Sequence, residues 1–200
     1  PLAEGIINIM LPGNYGGDAL ANLMAGDANF SARMPFTYPK YANALATYDY
    51  KPCESMGQMN GNYNYDSVMD VQWPFGYGLS YTTFTYGAAT FSKQTVGSED
   101  NLSLVVPVSN TGSRDGEEVV QVYLSKVGDE AGPVKTLRAF KRVSVPAGKT
   151  VNVHITLSKK DLEWWNEGTH SIQFCPGEYQ VWIGGSSDEK ALSKYAIQLK

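Results

Sequence analysis

A chain of 200 residues, 42% hydrophobic and 12% aromatic, has enough apolar material to bury a core as one or two domains. Its net charge of -4, with no basic run that would release phosphate counterions, excludes nucleic acid as a partner. The longest apolar run, Ile6 to Leu11, is interrupted by Asn8 and falls far short of the roughly 20 residues that span a bilayer, so no membrane anchor is expected.

The first elements have α/β character. Ile6-Ile7-Asn8-Ile9-Met10-Leu11 has the composition of a buried strand, and Pro12-Gly13 ends it ahead of a helix beginning near Gly17. Ala19, Leu20, Leu23 and Met24 fall at helical spacing, and Gly26 is the expected stop. A strand, turn and helix of this kind cannot cover its own apolar surface, because a parallel sheet needs neighbouring strands and helices over its faces. Residues 1–45 therefore read as the closing portion of a larger α/β domain.

Residues 46–85 read as a long loop and a connector. Asn60-Gly61 is a turn signal, and Tyr63, Tyr65 and Trp73 either pack the loop onto the protein or stack on a sugar ring, packing being favoured. In Trp-Pro-Phe-Gly-Tyr-Gly-Leu-Ser-Tyr-Thr-Thr-Phe, Trp73 to Phe84, the density of aromatics and glycines fits neither helix nor strand periodicity. Pro74 removes a backbone donor, Gly76 and Gly78 open unusual backbone angles, and Phe75, Tyr77, Tyr81 and Phe84 are anchors that hold two neighbours together by packing.

From residue 86 to 200 the pattern changes to period two. Leu102, Leu104, Val106 and Val108 alternate with polar or smaller residues, as do Val120, Val122 and Leu124, then Val151, Val153, Ile155 and Leu157, then Tyr179, Val181 and Ile183. Further strands are expected near Tyr86–Thr95, Leu137–Val145, Ser171–Cys175 and Ala191–Leu199. Short strands separated by Asn-Thr-Gly, Asp-Gly, Pro-Ala-Gly and Pro-Gly turns describe an immunoglobulin or fibronectin III-like β-sandwich. Pro107 places its strand at an edge, or directs its ring outward. The fold class is mainly β, a sandwich preceded by an incomplete α/β segment.

These stretches resemble glycoside hydrolase family 3, the β-glucosidase and β-xylosidase family. The Trp73–Phe84 run is similar to its P-F-G-Y-G-L-S-Y-T-x-F signature. Pro12-Gly13-Asn14-Tyr15-Gly16-Gly17-Asp18-Ala19-Leu20-Ala21, then Gly26-Asp27, Asn29, Ser31, Arg33 and Pro35-Phe36-Thr37-Tyr38-Pro39, resembles the segment before it, with Phe30 in place of a proline and Ala32 in place of a glycine. Val108-Ser109-Asn110-Thr111-Gly112, Gly116 to Tyr123 and Pro176-Gly177-Glu178-Tyr179 are similar to the family's fibronectin type III-like domain. The resemblance implies a retaining mechanism, with nucleophile and acid/base carboxyl groups about 5 to 5.5 Å apart. It also implies that both groups lie upstream of the Pro12 segment.

No catalytic, substrate-binding or metal residue is therefore assigned in this chain, and no cofactor. The expectation is the C-terminal structural portion of a secreted or periplasmic β-glucosidase. Its partners are the upstream catalytic domains and, through them, an oligosaccharide; homo-oligomer formation is left open. The alternatives are a β-xylosidase of the same family and a non-catalytic carbohydrate-binding or adhesion module.

The remaining chemistry-bearing residues read as structural. Glu117 and Glu118 flank a hairpin, Asp161 and Glu163 belong to a helical turn, and Asp129 and Glu130 sit in a polar loop. His154 and His170 have no partner at metal-ligand spacing. Gly13, Gly16 and Gly17 lack the spacing of a phosphate loop and read as a tight turn. Trp164 and Trp165 fill core, or else form a carbohydrate platform. The two cysteines, Cys53 and Cys175, exclude a disulfide framework and leave one bridge open.

Overall fold

The computed structural model describes residues 3, 5–40, 48–49, 71–130 and 132–200. In chain order the elements are α1 (Gly16–Ala25), β1 (Tyr38–Pro39), β2 (Val71–Trp73), β3 (Phe84–Tyr86), β4 (Thr90–Phe91), β5 (Thr95–Val96), β6 (Leu102–Asn110) and β7 (Gly116–Lys126). There follow β8 (Thr136–Val145), β9 (Thr150–Leu157), β10 (Trp164–Asn166), β11 (Ser171–Gln173), β12 (Gly177–Gly184) and β13 (Ser193–Leu199).

Two sheets face each other. One has five strands in the order β5-β13-β12-β7-β8; in the other, β6 is flanked by β9 on one side and by β3 and β4 in succession on the other. Alternation explains the packing of β6: Leu102, Leu104, Val106 and Val108 are buried while Ser103 is exposed. Facing them are Val120, Val122 and Leu124 of β7, Val181 and Ile183 of β12, and Ile197 and Leu199 of β13, all in the same buried cluster. The chain is mainly β, as periodicity implies.

Pro107 does not lie at an edge. Its strand is the centre of its sheet, and its ring belongs to the outward-facing set of residues. It is tolerated because β3 ends opposite Val108 and β4 begins opposite Val105, so the neighbouring ladder is interrupted where the proline has no N–H to give. Gly87 N bonds the Pro107 carbonyl across that gap at 2.8 Å.

The leading residues differ from expectation at one point. Helix α1 forms with Gly26 as its left-handed stop (φ 83°), but Ile6 to Leu11 is not a strand. It is exposed along its whole length, Leu11 to 98%. A strand needs a neighbour to satisfy its backbone, and among the described residues none lies beside it. Gly13 and Gly16 do close a tight turn, Gly16 N bonding Gly13 O at 3.2 Å, and a Cβ on Gly16 would stand 2.4 Å from the Pro12 ring; Gly17 lies within α1.

Candidate functional site: the junction of residues 22–34, the connector and the sandwich

On β7 the residues that alternate with the core set, Gln121, Tyr123 and Ser125, are also buried. The five-stranded sheet is therefore covered on both faces, and the second cover is the connector. Phe75 stacks on Tyr48 (centroids 4.5 Å apart), Tyr48 meets Tyr123 edge-on, and both rings pack on Trp182, Tyr123 and Leu192. Trp182 donates from Nε1 to Ser125 Oγ at 2.7 Å and lies beneath the ammonium of Lys194, 3.9 Å from the ring centre. Lys135, almost wholly buried beside the same ring, has its pKa pulled below the ordinary value by loss of solvent, with Glu189 at 3.6 Å opposing the shift.

Backbone contacts bind the connector to both sides. Met34 N donates to Tyr77 O at 2.8 Å and Gly76 N to Met34 O at 2.7 Å, while Ser187 N donates to Phe75 O at 2.8 Å. Gln121 Nε2 donates to the carbonyls of Gly76 and Gly185, and its Oε1 accepts from Tyr123 OH at 2.5 Å. The two connector glycines are there for close approach. A Cβ on Gly76, whose φ is 79°, would lie 2.1 Å from Gln121 Oε1, and one on Gly78 would lie 2.6 Å from Ala32 O.

At the end of the sandwich, Arg33 and Glu118 form a buried ion pair, with side chains 9% and 5% exposed. Arg33 Nη1 also donates to Gly78 O at 3.1 Å, and Tyr86 OH donates to the other Glu118 oxygen at 2.8 Å. Burial, reinforced by the Glu118 charge, pushes the Tyr86 phenol above its ordinary value of 10.0, so it stays a neutral donor. One carboxylate thus joins three segments: residues before the connector, β3 and β7. An open depression of about 380 Å³ lies over this cluster, lined also by Leu79, Ser80 and Ser186.

Asn29 and Asn110 tie the same end. Asn29 Oδ1 accepts from Ser80 Oγ and Tyr81 N, both at 2.9 Å, and its Nδ2 donates to Asp115 O at 3.0 Å. Asn110 Oδ1 accepts from Thr82 Oγ1 at 2.5 Å, and its Nδ2 donates to Arg114 O and Val145 O. Tyr81 OH reaches Leu23 O at 2.7 Å. Phe75 and Tyr81 act as anchors, and Phe84 packs on the sandwich core.

Other residues singled out in the sequence fall apart in space. Asp161 caps its turn reciprocally with Ser158, and Asp129 accepts from Trp164 Nε1 at 2.7 Å. No group of three or more metal-ligating side chains occurs among the described residues. Cys175 is a buried free thiol beside Trp164 O, whereas Cys53, Tyr63 and Tyr65 lie outside the described residues.

Glu118 is the residue that sequence reasoning misplaced as a hairpin carboxylate. The signal was present: Glu118 shares its strand phase with Val120, Val122 and Leu124, and a carboxylate in the inward phase requires a cation.

Comparison with known proteins agrees with these motifs. The glycosyl hydrolase family 3 C-terminal domain model matches residues 1–81, and the fibronectin type III-like domain model matches residues 118–187. A xylan 1,4-beta-xylosidase of Xylanibacter ruminicola is 37% identical over 98% of this chain and 22% of its own length. A periplasmic beta-glucosidase of Salmonella typhimurium is 32% identical over 92% and 25%. Among solved structures, a β-glucosidase from Erythrobacter marinus superposes with a TM-score of 0.77 at 32% identity, over 92% of this chain and 24% of that one. A β-glucosidase from Listeria innocua in complex with glucose gives 0.76 at 26%, over 96% and 27%. The chain thus spans about a quarter of each relative. The chain belongs to glycoside hydrolase family 3, carrying that family's C-terminal domain sequence followed by its fibronectin type III-like domain.

Proposed function

We propose that this chain is the C-terminal structural portion of a retaining β-glycosidase, a β-glucosidase removing terminal β-linked glucose from oligosaccharides. The observation that carries the reading is the contrast at its start. A family-matched apolar run, Ile6 to Leu11, has no partner among the described residues, while residues 22–34 farther along are locked to the sandwich through Arg33–Glu118 and Asn29. The chain divides into 1–45, completing an α/β domain; 46–85, loop and connector; and 86–200, the sandwich, whose first strand β3 starts two residues earlier, in the last part of the connector. The sandwich serves as a clamp that fixes the end of the α/β domain, and the catalytic carboxyl pair lies upstream. The named location of the Salmonella relative supports a periplasmic or secreted enzyme.

A second specificity has an observation in its favour: the 37% identical relative is named a xylan 1,4-beta-xylosidase, so β-linked xylose is the alternative sugar. Turnover of aryl β-glucosides and aryl β-xylosides distinguishes the two. The purified chain should be inert toward both, and co-expression with the preceding catalytic part should restore activity toward one. Activity of the chain alone, abolished by replacing one of its own carboxylates, would place an active site within these residues and overturn the scaffold reading.

A further inference from the structure

Trp164 and Trp165 are adjacent in sequence and opposite in environment. Successive strand residues point to opposite faces, and β10 sends one indole inward and the other outward. Trp164 is 2% exposed, edge-on to Tyr179 at 5.8 Å, with the Arg138 guanidinium 5.2 Å from its ring centre. Trp165 is 44% exposed, and Ile172, directly across the β10–β11 hairpin, is 67% exposed.

The hairpin that presents this pair is held from several sides. Arg138 Nη2 donates to Glu163 O at 2.9 Å, Cys175 Sγ to Trp164 O at 3.6 Å, and the backbone N–H groups of Gly168 and Thr169 to Asn166 Oδ1. One hydrogen-bonding group borders the outward face: the His170 ring centre is 6.3 Å from that of Trp165.

We infer that the Trp165–Ile172 face is a binding platform for a β-linked pyranose chain. A pyranose ring presents an apolar C–H face ringed by hydroxyls, which matches a flat, half-exposed indole bordered by an imidazole. Two apolar side chains fall far below the roughly 800 Å² per partner of a stable protein interface, so a second copy of the chain or another protein fits poorly. Residues 163–174 contain no lysine or arginine and carry Glu163 and Glu167, so the hairpin itself offers no cation to an anionic polymer or membrane surface. The hairpin adjoins Asp129 in the turn after β7, whereas Glu118 is near the start of that strand; the eight residues from Glu118 to Lys126 alone span roughly 26 Å. A sugar chain on Trp165 therefore leaves the Arg33–Glu118 junction untouched. The choice of β-linked sugars rests on the β-glycosidase reading; the test reads binding alone, so each can fail separately.

The test is affinity electrophoresis of residues 1–200 in native gels containing soluble xylan or mixed-linkage β-glucan, with dextran as the α-linked control. Retardation is expected in at least one β-linked gel and not in dextran. Trp165→Ala should weaken it by at least about tenfold, and Trp165→Tyr, which keeps a flat ring, should retain most of it. Thermal melts of both variants should match the parent, since the exposed ring supports little of the core. Equal migration of parent and Trp165→Ala in every gel would overturn the proposal. So would loss of binding accompanied by an equal loss in Trp165→Tyr, or a concentration-dependent dimer that Trp165→Ala abolishes.

Discussion

Ile6–Leu11 and β6 are both apolar runs, and the fold treats them in opposite ways. The β6 run alternates, so its inward residues share one buried cluster with β7, β12 and β13, and its backbone pairs with β9 on one side and with β3 and β4 on the other. Ile6–Leu11 is nearly continuous, the pattern of a strand covered on both faces, and no cover exists among the described residues. Composition shows that a segment will be buried; only the partner decides whether it is buried within the same chain. The same lesson holds across β7, whose inner face meets its own sandwich and whose outer face depends on Phe75, Tyr48 and Gly76 from the connector.

The largest effect is expected at Glu118, which joins the two halves. Glu118→Ala leaves Arg33 buried without its partner and removes the acceptor for Tyr86, and should cost about 3 to 5 kcal/mol in a denaturant titration. A loss below about 1 kcal/mol would mean that solvent reaches the pair. Leucine truncation compares the two runs directly. Leu104→Ala should cost about 2 to 5 kcal/mol because it opens a cavity in the core, whereas Leu11→Ala should stay within about 0.5 kcal/mol. Similar losses at both positions would show that the leading run is packed.

Phe75→Ala tests the second cover of β7. Loss of a half-buried ring, about 2 kcal/mol, corresponds to a fall in Tm of about 4 to 8 °C, together with new protease cleavage near Gly76. An unchanged melt and cleavage pattern would remove the ring from the junction.

Alkaline pH gives a smaller and more gradual effect. Tyr86, Tyr123 and Tyr179 are all held above the ordinary 10.0 by burial, so above that pH the unfolded chain loses protons that the folded chain keeps, and stability falls. Lys135 acts in the opposite sense: its folded value lies below 10.5, so stability rises with pH between the two values. With three tyrosines against one lysine, Tm should fall above pH 10, and Tyr86→Phe should flatten part of the slope. A melt that stays level well above that pH would contradict the assigned burial.

Much of the sandwich was legible because period-two alternation is a local signal, and β6, β7, β9 and β12 all carry it. The helix α1 was legible through its spacing and Gly26. The central position of β6 was not, since Pro107 argues for an edge and the break between β3 and β4 that accommodates it depends on tertiary register. Nor was the burial of Gln121 and Tyr123, because alternation assigns one face to solvent and cannot register a cover supplied from a distant segment. Arg33 was visible within a family motif, yet its partner was read only as a carboxylate flanking a hairpin. Phase alone would have corrected that reading.

Ile6–Leu11 is uncovered among the described residues, while the sandwich has a closed core. Amide hydrogen exchange, resolved by residue, on the isolated chain and on the chain co-expressed with the preceding catalytic part, tests it most directly. Ile6–Leu11 should exchange without protection in the isolated chain while β6 exchanges only through global unfolding, and protection of Ile6–Leu11 should appear in the co-expressed form. Protection of Ile6–Leu11 in the isolated chain, or none on co-expression despite restored activity, would contradict it.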